Sequence, residues 1–189
     1  MIARHDDGEF LEPRGSRVLP PCLYLLTGIS FAGKSVLARR LAAHLGVPRV
    51  DPDEISHRLG LGLSGEFLSH AQWAEIHAMA EGEACAHLRS GTSVVYDTTA
   101  FTRAQRDALR ALAAGCGATT RLVFVDTPRD VAWQRWQANE HTHQRARVHP
   151  DDFAMVADRF EPPGDGEDAW RFTPEDEVER WIVARFASG

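Results

Sequence analysis

The sequence predicts a three-layer α/β sandwich, with a mainly parallel sheet covered by helices on both faces and a small helical lid. Three observations lead there. The apolar run at residues 22–27 is continuous rather than alternating, as in a strand buried on both faces, and shorter strand segments follow at 47–50, 93–96 and 121–125. Longer helical patterns separate these runs. Three of the runs close on aspartates, Asp51/Asp53, Asp97 and Asp126, at the strand ends where open parallel sheets bind ligands.

In chain order, residues 1–20 mix charges with Pro13, Gly15, Pro20 and Pro21 and show no apolar period. They are expected to form a tail, with residues 21–189 as one domain. The first strand, residues 22–27, runs into a glycine-rich segment. A helix follows over 35–45 through Val36, Leu37, Leu41 and Leu45, and Gly46 ends it. Residues 47–50 form a short second strand, and the glycines at 60, 62 and 65 mark a loop. Ser69 is placed to cap a long helix reaching Leu88. The third strand, 93–96, precedes a helix that Thr102 caps and that extends to Ala114. After the fourth strand, Pro128 suits the first turn of a helix through Gln137. Residues 139–149 are polar and rich in His and Arg, placing a lid at about 135–150. A helix at 151–160, an edge strand at 170–172 and a final helix at 174–186 complete the pattern.

Composition narrows the class. Hydrophobic residues make up 43% and charged residues 25%, the balance of a soluble globular protein. No apolar run reaches the roughly 20 residues that a membrane span needs. Cys22, Cys85 and Cys116 suggest neither a disulfide framework nor a zinc pattern, so a cytoplasmic setting is expected. The net charge of −6 is concentrated in residues 161–180, which hold eight acids and two arginines. That distribution argues against a broad nucleic-acid surface but leaves room for a local phosphate site.

The basic residues are more telling. Twenty of the 21 are arginine, and the one lysine is Lys34. It stands inside Gly28-Ile29-Ser30-Phe31-Ala32-Gly33-Lys34-Ser35, a full match to G-x-x-x-x-G-K-[ST] between a buried strand and a helix that continues through Val36. The chemistry of that pattern is a phosphate cradle. Loop amides and the positive end of the helix dipole face the phosphates. A compact ammonium lies across the β- and γ-phosphates where a planar guanidinium fits poorly. Residues 28–36 are thus expected to bind ATP, with the Ser35 hydroxyl on Mg²⁺.

Phosphoryl transfer to an alcohol benefits from one carboxylate that deprotonates the hydroxyl and another that organises Mg²⁺. Asp53, just past the second strand, is expected to be the base. Asp97 is expected on the metal side, and Asp126, followed by Thr127-Pro128, in a capping role.

With these residues placed, the chain resembles the polynucleotide-kinase-like branch of small P-loop kinases, related to zeta-type toxins, chloramphenicol phosphotransferase and gluconate kinase. The resemblance covers roughly residues 22–162. It rests on the glycine-rich loop, on residues 53–59, on Val94-Val95-Tyr96-Asp97-Thr98-Thr99 and on residues 125–162. It implies a P-loop fold, Asp53 as the base and a lid whose arginines hold nucleotide phosphates. Arg135 matches a family arginine that lies against adenine, and Arg145 and Arg147 match lid positions that reach the transferring phosphate. Ser56 stands where polynucleotide kinases carry an acceptor-holding arginine, and Asn139 where some relatives carry another lid arginine.

Other signals are weaker. His141, His143 and His149 read as solvated lid residues, His70 and His77 as one face of the long helix, and Trp133 and Trp136 as packing at the lid base. Together these features predict an ATP- and Mg²⁺-dependent kinase acting on a hydroxyl of a small-molecule or nucleotide-like acceptor, with Lys34, Asp53, Arg145 and Arg147 as catalytic groups. A 5′-hydroxyl polynucleotide kinase and a nucleotide-binding regulatory ATPase are the alternatives. Nucleic acid is not the favoured partner, and no membrane partner is expected.

Overall fold

A computed structural model describes residues 19–61, 68–142 and 148–187. Five strands form one sheet: β1 (Cys22–Thr27), β2 (Arg49–Val50), β3 (Val94–Tyr96), β4 (Thr119–Val125) and β5 (Trp170–Phe172). Their order is β2-β3-β1-β4-β5 and every pairing is parallel. The glycine-rich loop therefore leaves the middle of the sheet, with the end of β3 on one side and the end of β4 on the other. Among the described residues, seven α-helices cover the sheet: α1 (Lys34–Leu45), α2 (Pro52–Arg58), α3 (His70–Arg89), α4 (Arg103–Gly115), α5 (Arg129–Thr142), α6 (Pro150–Arg159) and α7 (Val178–Phe186).

Side chains alternate between two cores along each strand. On one face Leu26, Val95 and Val123 pack with Leu37, Trp136 and Trp181, joining α1, α5 and α7. On the other face Leu25, Val50 and Tyr96 pack with Ile55, Ile76 and Leu109, joining α2, α3 and α4. The expected three-layer sandwich is thus present. Ser69 and Thr102 cap their helices, each with a reciprocal capping box completed by Gln72 and Gln105. Trp170–Phe172 is the edge strand expected there.

Several expectations need correction. Asp51-Pro52-Asp53 opens a short helix, α2, with Asp51 as N-cap and Pro52 in its first turn. Helix α5 runs past Gln137 to Thr142, into the residues read as the lid, while α7 starts only at Val178, capped by Glu177. Cys85 and Cys116 are joined in a disulfide between α3 and the end of α4, with Cα atoms 5.9 Å apart. Residues 31 apart on separate helices carry no local signal of such pairing. The expected tail falls almost wholly outside the described residues, as do Arg145, Arg147 and His143. No described helix is long and apolar enough to cross a membrane.

One polar contact crosses the interior. Arg106 of α4 is fully buried, and its Nε and Nη2 donate to Glu167 at 2.8 and 2.7 Å. Arg110 adds a third bond to the same carboxylate at 2.8 Å. This fork ties the segment leading into β5 to the α4 layer.

Candidate functional site

The site begins with the backbone of the loop after β1. Gly28 has φ 148°, and a Cβ there would lie 2.6 Å from the Val125 carbonyl oxygen on neighbouring β4. Only glycine lets the chain turn so close to that strand. Phe31 takes the left-handed conformation at φ 61°, and Gly33 at φ 106° caps the N-terminus of α1. The first turn of α1 consequently points into the loop, where its unsatisfied amides and dipole favour anions.

Loop carbonyls are held from several directions. Lys34, 8% exposed, donates its Nζ to the carbonyls of Gly28 at 3.0 Å and Ile29 at 2.8 Å. The Thr127 hydroxyl donates to the Ala32 carbonyl at 2.8 Å, and Arg135 Nη1 donates to the same carbonyl at 2.8 Å. These bonds hold the loop as a ring closed by β4 and α5. Arg135, expected against the adenine, donates here to carbonyls of the glycine-rich loop. Asn139, one turn further along α5, is buried in the protein instead.

The strand-end carboxylates separate into distinct environments. Asp97 follows β3 and is only 4% exposed, and the Ser35 hydroxyl hydrogen-bonds to it. Burial first, and then the charge of Asp51, push its carboxyl upward, while Lys34, the Ser35 bond and Arg49 pull it down. Ser35 and Asp97 thus meet at the start of α1 and form a hard-oxygen pair of the kind that suits Mg²⁺. No cluster of three or more His, Cys, Asp or Glu side chains able to hold a metal occurs among the described residues.

Asp53 lies in the first turn of α2, just past the end of β2, and is exposed. Its backbone N–H donates to Asp51 Oδ1 at 2.9 Å, so the cap fixes where Asp53 sits. Asp126 falls outside this group. It pairs with Arg171, and its N–H bonds the Phe172 carbonyl at 2.8 Å, both at the β5 edge. Ser56 is buried, and its hydroxyl donates to the Leu61 carbonyl at 3.3 Å, closing the end of α2.

Sequence reasoning missed Arg49. It leaves edge strand β2 and donates to Asp97 Oδ2 at 2.9 Å while also pairing with Asp51 and Glu54. Its side chain is nearly buried, so these carboxylates are its solvation. The available signal was an arginine within an apolar strand directly before a strand-ending aspartate, since a buried guanidinium needs such partners. Asp51, read only as one of two strand-end acids, is the buried member of the pair and both caps α2 and binds Arg49.

A family model, described as an AAA domain, matches residues 23–163. A comparison with curated proteins finds no match. Among solved structures, the Mycobacterium tuberculosis APS kinase CysC in complex with AMPPNP and APS is 21% identical at TM-score 0.62, covering 89% of this chain and 96% of that one. A gluconokinase from Sinorhizobium meliloti 1021 is 20% identical at TM-score 0.61, covering 89% and 93%. Kti12 of Chaetomium thermophilum in complex with ADP-AlF3 is 14% identical at TM-score 0.70, covering 89% and 98%. At these identities the likeness is one of fold. The family match spans about three quarters of the chain and includes the glycine-rich loop and the strand-end carboxylates, and on that ground the protein belongs to the AAA domain family.

Proposed function

We propose that this protein is a Mg²⁺- and ATP-dependent kinase that transfers the γ-phosphoryl group to a hydroxyl of a small-molecule acceptor. The observation that carries the proposal is the meeting of Ser35 and buried Asp97 beside the Lys34-braced loop. Residues 28–36 would bind the ATP phosphates, and Arg135 would close the loop from α5. Ser35 and Asp97 would hold Mg²⁺, which when bound supplies charge neutralisation across the β- and γ-phosphates. Lys34 would exchange its carbonyl partners for phosphate oxygens and stabilise charge developing on the transferred group. Asp53, exposed in the first turn of α2, would orient the acceptor hydroxyl and take its proton as the new O–P bond forms and the bond from the γ-phosphorus to the ADP oxygen breaks. Arg145 and Arg147 are proposed as lid contacts to the transferring phosphate, within a lid at about 135–150.

A small acceptor is favoured over a 5′-hydroxyl polynucleotide end by Ser56. Its short side chain is bonded to Leu61, at the place where a polynucleotide kinase would present an arginine. The second reading is a nucleotide-binding regulator with slow hydrolysis whose output is a change of association; the nucleotide-bound Kti12 of similar fold agrees with nucleotide binding under either reading. Incubating the protein with γ-labelled ATP, Mg²⁺ and chemically diverse hydroxyl compounds separates the two. Labelled acceptor product supports the kinase. Label appearing only as inorganic phosphate, whatever the acceptor, supports the regulator and contradicts the kinase.

A further inference from the structure

Two segments of the candidate site are joined by a hydroxyl that the proposed reaction leaves unused. Thr27 ends β1 directly before Gly28, and its side chain is fully buried. Strand alternation puts it on the face of Leu23 and Leu25, toward the α4 layer. There its Oγ1 donates to two carbonyls, those of Thr99 at 3.1 Å and Ala100 at 2.9 Å. The Gly28 N–H donates to the Thr99 carbonyl as well, at 3.3 Å. The segment that follows Asp97 is therefore clamped to β1 just where the glycine-rich loop begins. A valine would fill the same buried strand position with no polar atom to satisfy, so the hydroxyl is there for these carbonyls.

The clamped turn is strained. Ala100 has φ 39°, a left-handed conformation that a residue with a side chain holds only where its surroundings impose it. The surroundings do so here. Its methyl group is buried in the core that holds Leu109, and its carbonyl also accepts from Arg106 Nη1 at 3.3 Å. The next carbonyl, that of Phe101, accepts from the Glu161 N–H at 2.8 Å. On the other side, the Asp97 N–H donates to the Val50 carbonyl of β2 at 2.9 Å. Asp97 thus sits between two anchors, β2 behind it and the Thr27 clamp ahead.

We infer that Thr27 is a positioning residue for the Asp97 carboxylate, an inference that rests on the proposed Mg²⁺ and ATP site. Its hydroxyl touches no reacting group. By pinning Thr99 and Ala100 to the mouth of the loop, it fixes how Asp97 meets Ser35 and how both stand to the loop amides. The metal must reach Asp97 and Ser35 on one side and phosphate oxygens on the other. A shift between the two segments therefore weakens metal binding while the loop still takes phosphate.

The test uses the full chain and reads binding of a fluorescent ATP analogue with and without Mg²⁺, alongside turnover of γ-labelled ATP. In Thr27→Val both carbonyls keep a partner, the Gly28 N–H and Arg106, so the melting temperature is expected to fall by only about 2–4 °C. Affinity without Mg²⁺ is expected to stay within about 2-fold of wild type, whereas half-saturating Mg²⁺ rises and turnover falls, each about 10-fold. Thr27→Ser is expected to restore both. In an Asp97→Asn background, Thr27→Val is expected to add nothing. Wild-type Mg²⁺ dependence in Thr27→Val, or an effect fully additive with Asp97→Asn, overturns the inference. An equal loss of affinity with and without Mg²⁺ also overturns it, because it marks a purely structural role. Wild-type affinity indifferent to Mg²⁺ overturns the proposed metal site and this inference together. Mg²⁺-tightened binding with no product from any hydroxyl acceptor overturns the kinase reading alone, and the binding comparison still decides the role of Thr27.

Discussion

Arg49 Nη1 donates to Asp97 Oδ2 at 2.9 Å, joining the edge strand to the carboxylate beside the phosphate loop. The same guanidinium pairs with Asp51, the cap of α2, so one side chain links the Asp97 carboxylate to the helix that carries Asp53. Removing it leaves two buried carboxylates with their shared cation gone. Arg49→Met is expected to cost about 3–5 kcal/mol of stability. In the double variant with Asp51→Asn the loss should be clearly less than additive. Denaturant unfolding of the three variants checks this, and additive losses would mean that the pair does not interact.

Gly28 tests the architecture of the loop. A methyl group there meets the Val125 carbonyl at 2.6 Å, and the backbone sits at a positive φ that side chains rarely adopt. Gly28→Ala is expected to destabilise the fold by about 1–3 kcal/mol and to displace the loop. Nucleotide affinity should fall with it, by about 10-fold or more. Titration with a fluorescent ATP analogue alongside a melting curve gives both quantities.

The buried Glu167 fork makes a prediction about pH. Hydrogen bonds from Arg106, foremost, hold its carboxyl at about 2, well below the ordinary 4.5. A depressed carboxylate stabilises the fold above its unfolded pKa, and that contribution disappears as pH falls from 4.5 through about 2. Glu167→Gln should therefore destabilise the protein by about 3 kcal/mol at neutral pH. The gap between variant and wild type should narrow steadily below about pH 4.5. Unfolding free energies measured at neutral pH and in acid provide the comparison.

Most of the fold was legible because its signals are local. The motif at 28–35, the continuous apolar strands and the caps at Ser69 and Thr102 each lie within a few residues of the structure they specify. Helix α2 was also locally marked, since Asp51-Pro52 is a cap followed by a first-turn proline, but its seven residues are too few to show a helical period. What stayed hidden depends on distant partners. Arg49 meets Asp97 across 48 residues, Arg106 meets Glu167 across 61, and Cys85 meets Cys116 across 31. Glu167 counted in the sequence as one acid in an acidic stretch, whereas the fold buries it on two arginines. Tyr96 read as one more apolar strand residue, and only the packed core reveals its unpaired hydroxyl.

Asp53→Asn in single-turnover transfer from γ-labelled ATP to an accepted hydroxyl compound tests the central claim most directly. Loss of a general base predicts a rate about 10²–10⁴-fold lower with ATP affinity preserved, because Asp53 lies in α2 and not in the phosphate loop. Lys34→Ala, run in parallel, should lose phosphoryl transfer by about 10²-fold or more through loss of charge stabilisation. Transfer at the full wild-type rate by Asp53→Asn would contradict the account.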